Sequence, residues 1–82
     1  MPYQLFLHAR AVDQLFPMRS QRRRLLMEFF ERLARDPFLK GELNTKDHLN
    51  REAEVKLVAG RFVTYYADHA TKEVQILSIE PV

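Results

Sequence analysis

The side chains with chemistry to offer in this 82-residue chain fall into two groups. Arg19, Arg22, Arg23 and Arg24 crowd positive charge around the start of a helical stretch, where guanidinium forks could meet phosphate or carboxylate groups. Four arginines there oppose the helix dipole, a cost that an acidic partner would offset. The plain alternative is a solvated basic turn with its aliphatic stems laid on the helix. Arg22 lies in line with Leu25 and Leu26, which commits it partly to the boundary between helix and sheet. The second group is Glu52, Glu54 and Lys56, on one side of an extended run, followed by Arg61. A carboxylate near two cations has the parts for general-base chemistry with electrostatic support. The same alternation is also what a solvated sheet face with cross-strand ion pairs looks like. Arg51 opens the run and adds a cation for a partner or a nucleic acid. His8, His48 and His69 are scattered without ligand spacing and cysteine is absent, so neither a metal site nor thiolate chemistry is expected. No cofactor is expected.

These groups need elements to hold them. Arg51 to Ile79 reads as three strands: one ahead of the break at Ala59-Gly60, one from Arg61 to about Ala67, and one from Val74 to Ile79. Ala59-Gly60 and Asp68-His69-Ala70-Thr71 supply the turns, giving an antiparallel meander. Ahead of it, Pro2 to Ala9 alternates Tyr3, Leu5 and Leu7 against Gln4, Phe6 and His8 as a half-buried strand. Val12, Leu15 and Phe16 then share one side of a short helix that Pro17 stops. Ser20 is the expected N-cap of a longer helix. Its apolar stripe is Leu25, Leu26, Phe29, Phe30 and Leu33, and Asp36-Pro37 ends it. Phe38 to Asn50 reads as a long loop containing Gly41. The order β-α-α-β-β-β predicts a two-layer α+β domain over residues 1–82, a helical hairpin on a four-stranded, mainly antiparallel sheet. The first strand can join as an edge or pair with the last.

Composition sets the remaining bounds. With 46% apolar residues the chain is expected to be globular, and a domain this small without disulfides needs a well-packed core, a partner, or both. No apolar run reaches the roughly 20 residues of a membrane span and no signal-peptide pattern opens the chain, so a cytoplasmic location is expected. Net charge is +2, but residues 1–41 carry eight Lys/Arg against four Asp/Glu, and residues 42–82 carry five against seven. A nucleic-acid site would be expected on the basic, helical half if charge alone decided.

The succession of these pieces resembles the RelE/ParE toxin superfamily of type II toxin–antitoxin modules. The matching parts are Leu33-Ala34-Arg35-Asp36-Pro37, Gly41, Gly60-Arg61-Phe62-Val63-Thr64-Tyr65, and the closing Val74-Gln75-Ile76-Leu77-Ser78-Ile79. The resemblance implies the toxin of a toxin–antitoxin pair, with an antitoxin protein as partner. RelE-like members cut mRNA on the ribosome, and ParE-like members act on DNA gyrase. For a RelE-like mRNA endoribonuclease, Glu54 (or Glu52) would be the base for the 2′-hydroxyl, and Lys56 or Arg61 the cation for the phosphoryl charge. Arg19, Arg22, Arg23, Arg24 and Arg51 would then bind RNA or the partner. The sequence departs from the RelE pattern in three ways. The first meander strand, which carries basic residues in RelE-type nucleases, offers Glu52, Glu54 and Lys56. Arg61 precedes Phe62 rather than following the aromatic, which in a strand turns it to the other face unless a bulge near Ala59-Gly60 compensates. The basic residue and tyrosine expected after the last strand have no counterpart in Ser78 to Val82. A non-catalytic member of the same fold, either a gyrase inhibitor or an antitoxin-binding homologue, is the alternative.

Overall fold

The computed structural model describes residues 2–47 and 49–82. Its elements run β1 (Gln4–Leu7), α1 (Ala9–Leu15), α2 (Ser20–Arg35), β2 (Leu43–Lys46), β3 (Glu52–Val58), β4 (Arg61–Asp68) and β5 (Glu73–Pro81). The strands form one sheet in the order β1-β5-β4-β3-β2. β1 pairs with β5 in parallel and every other pairing is antiparallel. The first strand is therefore both an edge and the neighbour of the last.

The sheet has five strands rather than four, because Leu43–Lys46, inside the expected loop, pairs with β3 from Leu43↔Val55 to Lys46↔Glu52. Leu-Asn-Thr-Lys has no alternation and all four residues are exposed. Its strand character comes from the ladder that β3 offers, a tertiary effect that local pattern does not carry. Gly41 permits the approach: a Cβ at this position would lie 2.3 Å from the Val55 carbonyl oxygen.

Both helices pack on one face of the sheet, α1 on β5 and α2 across β1, β3 and β5. α2 buries Leu26, Phe29, Phe30, Leu33 and Ala34. Leu25, expected in that stripe, is 44% exposed; it sits about 100° around the helix from Leu26, on the margin of the buried arc. Ser20 is the first helical residue and not the cap; Arg19 holds the cap position with extended backbone and no side-chain cap bond. In α1 only Ala11 is buried, while Phe16, beyond its end, stands exposed. The core joins the α2 stripe to Val63, Tyr65, Val74, Ile76 and Ile79, with the Phe29 ring edge-on to Tyr65 at 5.9 Å. Burial of Leu26 or Phe30 contributes about 1.5–3 kcal/mol each.

Two irregularities decide which side chains face the helices. Ala59 and Gly60 both have positive φ, at 52° and 76°, the two-residue hairpin turn whose twist suits the flanking strands. Val58 therefore pairs directly with Arg61, with no bulge at this end. The bulge lies instead between β4 and β5, where Thr64 pairs with Ser78 and Tyr65 with Ile76, leaving Leu77 over. This extra residue lets Ile76 and Ile79, three apart, both reach the core. Cross-strand partners share a face, so Glu54, Lys56 and Val58 lie on the helix side with Tyr65, Val63 and Arg61. Val55 and Leu57 pair with Thr64 and Phe62 on the other face, and Leu57 is exposed. The charged side of β3 is thus the one that continues the core face.

Candidate functional site

Three arginines from separate parts of the chain converge on one cleft. Arg19 stands at the start of α2 and Arg22 nearly one turn further on, the spacing that stacks side chains on one side of a helix. Arg61 opens β4 on the helix-side face, directly after the Ala59-Gly60 turn. The cleft has a volume of about 530 Å³ and is lined by Pro17, Met18, Arg19, Gln21, Arg22, Leu25, Ala59 and Arg61. A guanidinium nitrogen of Arg22 comes within 3.8 Å of where a Cβ on Gly60 would be, so the helix start reaches over the hairpin turn. No carboxylate lines the cleft, and among the described residues none of the three arginines forms an ion pair. Two arginines of the expected basic cluster, Arg19 and Arg22, and one of the expected phosphoryl cations, Arg61, read as separate features in the sequence, share this one place.

The other expected basic residues lie elsewhere. Arg23 donates through Nη1 to the Phe16 carbonyl oxygen at 3.1 Å, tying the end of α1 to α2. Arg24 is exposed on α2 outside the cleft. Arg51 pairs with Asp47 at 3.0 Å, and its guanidinium lies 4.5 Å from the centroid of the Tyr66 ring. The Asp47 carboxyl is held below the usual carboxylate range, first by the Arg51 backbone N–H that it accepts. Arg51 thereby closes the β2–β3 connection.

Glu54, Lys56 and Arg61 share a face but do not meet. Glu54 pairs across from Tyr65, Lys56 from Val63, and Arg61 from Val58, so two strand repeats separate Glu54 from Arg61, roughly 13 Å. Each end also has its own surroundings. Glu54 accepts the Gly41 backbone N–H at 2.8 Å. Beside it the Tyr65 hydroxyl donates to the Leu39 carbonyl oxygen at 2.9 Å. Burial, with the Glu54 and Glu42 charges nearby, pushes the Tyr65 phenol up to about 12. Lys56 Nζ lies 3.3 Å from Glu42, whose carboxyl is lowered chiefly by the Leu57 backbone N–H that it accepts. Glu52 and Glu54 line a smaller depression of about 240 Å³, with Phe38, Leu39, Tyr65, Tyr66 and His69.

The histidines are engaged singly. His8 Nε2 is 2.8 Å from the Gln75 amide oxygen; His69 Nδ1 is 2.9 Å from the Tyr3 hydroxyl and its ring stacks on Phe38 at 4.7 Å. His48 lies outside the described residues. Among the described residues no three His, Cys, Asp or Glu side chains are grouped to hold a metal ion. Sequence reasoning missed the apolar floor of the cleft (Pro17, Met18, Ala59) and the Leu39-to-Glu42 segment over β3. Gly41, isolated in a charged loop, was the available sign that backbone approaches backbone there.

No family model matches the sequence, and no curated protein is similar to it in sequence. Solved structures are similar in fold. The RelE–RelB complex from the archaeon Pyrococcus horikoshii matches with a TM-score of 0.79 and 19% identity, over 99% of this chain and 96% of that one. The RelBE2 toxin–antitoxin complex from Mycobacterium tuberculosis matches with a TM-score of 0.70 and 19% identity, over the whole of both chains. The intact Escherichia coli RelBE complex matches with a TM-score of 0.67 and 15% identity, over 98% and 96%.

Proposed function

We propose, from a RelE-like toxin fold that spans the whole chain, that this protein is the toxin of a toxin–antitoxin pair. Its action would be RelE-like, the cleavage of mRNA on the ribosome, and its partner a protein antitoxin. The observation that carries this reading is full-length likeness to the three complexes named above, the mycobacterial and E. coli ones being toxin–antitoxin complexes. Arg19, Arg22 and Arg61, which form no ion pair among the described residues, support a protein that works in a complex. RNA cleavage through the 2′-hydroxyl needs a base and a cation at the phosphoryl group. Glu54 and Lys56, adjacent on one face of β3, are the residues that would supply them. No cofactor enters this chemistry.

A second reading has its own observation. Glu54 is engaged by Gly41, Lys56 by Glu42, and Arg61 lies roughly 13 Å along the sheet from Glu54. That dispersion favours a non-catalytic toxin, acting by binding to a target such as DNA gyrase. Primer extension on a translated mRNA after induction separates the two. New 5′ ends within the translated region, lost with Glu54→Gln and Lys56→Gln, are expected of the nuclease. Growth arrest with intact mRNA and altered DNA supercoiling is expected of the binder. Unimpaired growth at full expression would contradict both.

A further inference from the structure

We propose that the cleft between the start of α2 and the β3–β4 turn recognises one acidic–aliphatic segment of the protein partner. Its aliphatic side chain would sit on Pro17, Met18, Leu25 and Ala59, and its carboxylates on Arg22 and Arg61. The inference rests on the reading of this chain as a toxin with a protein antitoxin. It adds the place and the chemistry of contact, and makes Arg61 a recognition residue and not a catalytic one.

Charge argues first. Arg10, Arg51 and Lys56 each have a carboxylate partner within this chain, whereas Arg19, Arg22 and Arg61 form no ion pair among the described residues; Arg61 feels only the charge of Glu80, which Arg10 already holds. Cations arranged around one cavity and left unpaired repel one another, and an incoming carboxylate removes that repulsion. The guanidinium fork fits a carboxylate through two parallel hydrogen bonds.

The floor argues next. Leu25 is nearly half exposed on a helix whose neighbouring leucine is fully buried, and Ala59 and Pro17 extend the same apolar patch. An aliphatic side chain seated there would cover it. The lining has no aromatic ring on which a nucleobase could stack.

The surroundings choose between a peptide and a polyanion. Further along the same face of the sheet lie Glu54 and, against Lys56, Glu42. A nucleic acid leaving the cleft in that direction would bring a phosphate at every nucleotide toward those carboxylates. A peptide needs to present its acids only once.

The full chain, labelled with nitrogen-15, is titrated with an acetylated, amidated pentapeptide of alternating glutamate and leucine. The glutamine–leucine counterpart, inorganic phosphate and a short single-stranded RNA are titrated in parallel. The glutamate peptide is expected to shift the amides of Arg22, Leu25, Ala59 and Gly60. Arg22→Gln and Arg61→Gln are each expected to weaken it roughly three- to tenfold, with Arg24→Gln without effect. Should Arg61→Gln fail to fold, Arg22→Gln, on an exposed helix position, decides alone. Unmoved cleft amides, equal binding of the glutamine peptide, or stronger shifts with RNA or phosphate would each overturn the proposal. Its failure is distinguishable from failure of the toxin reading. A protein encoded beside this chain that binds wild type, Arg22→Gln and Arg61→Gln equally well removes the cleft and leaves the toxin standing.

Discussion

Replacing Gly41 by alanine should damage the fold out of proportion to one methyl group. The added carbon would lie 2.3 Å from the Val55 carbonyl oxygen and 2.7 Å from its carbon, all of it backbone in the middle of β3. Ordinary contact begins near 3.4 Å, so the Leu39–Glu42 segment must lift by about 1 Å. Lifting it weakens the Gly41 N–H bond to the Glu54 carboxylate and the Tyr65 hydroxyl bond to Leu39. A bond to a charged acceptor is worth about 1.5–3 kcal/mol and a neutral one about 1. Overpacking by one methyl costs about 1–3 kcal/mol. Partial relaxation leaves an expected loss of about 2–4 kcal/mol, against roughly 4–12 kcal/mol for a domain of this length. Thermal unfolding followed by circular dichroism should show a melting temperature lower by about 10–25 °C. Gly60→Ala is the control, since its nearest neighbour is the flexible end of Arg22 at 3.8 Å; only its left-handed backbone is strained, costing about 1–2 kcal/mol. A Gly41→Ala protein that melts within about 2 °C of wild type would refute the close approach on which the site geometry rests.

Adjacent leucines on α2 should behave oppositely. Leu26→Ala, at a fully buried position, should cost about 2–5 kcal/mol, whereas Leu25→Ala should cost under about 1 kcal/mol, both read from urea midpoints. The Tyr65 phenol titrates higher in the fold than in the unfolded chain, where its pKa is about 10. Its stabilisation should therefore be intact below about pH 10 and be lost as the pH rises through about 12. Ultraviolet titration should show a late phenol that Tyr65→Phe removes.

The fold was legible where local pattern and tertiary contact agree. Leu26, Phe29, Phe30 and Leu33 announce the α2 core at helical spacing, and the three long strands follow from their β-branched and aromatic runs. β2 was not legible, because Leu-Asn-Thr-Lys acquires its conformation from β3. The faces of β3 were misleading for a related reason. Alternation identifies two sides of a strand without saying which one the helices cover, and here a covering segment anchored by Gly41 makes the side with Glu54 usable. Hairpin geometry decided the Arg61 face: the sequence allowed a compensating bulge at Ala59-Gly60, and the bulge occurs at Leu77. Each arginine of the cleft could be picked out in the sequence. Their convergence depends on how α2 sits over the β3–β4 turn, which no local spacing encodes.

The central claim, that this chain is a toxin held by a protein partner, is most directly tested by growth. The chain is induced in a bacterial host alone and together with a candidate antitoxin from an adjacent reading frame, and colony counts are followed after induction. Arrest is expected with the chain alone, with rescue by the candidate antitoxin and recovery of the two proteins as one complex. Undiminished growth of cells that accumulate the folded chain, with no complex formed by the candidate antitoxin, would contradict it.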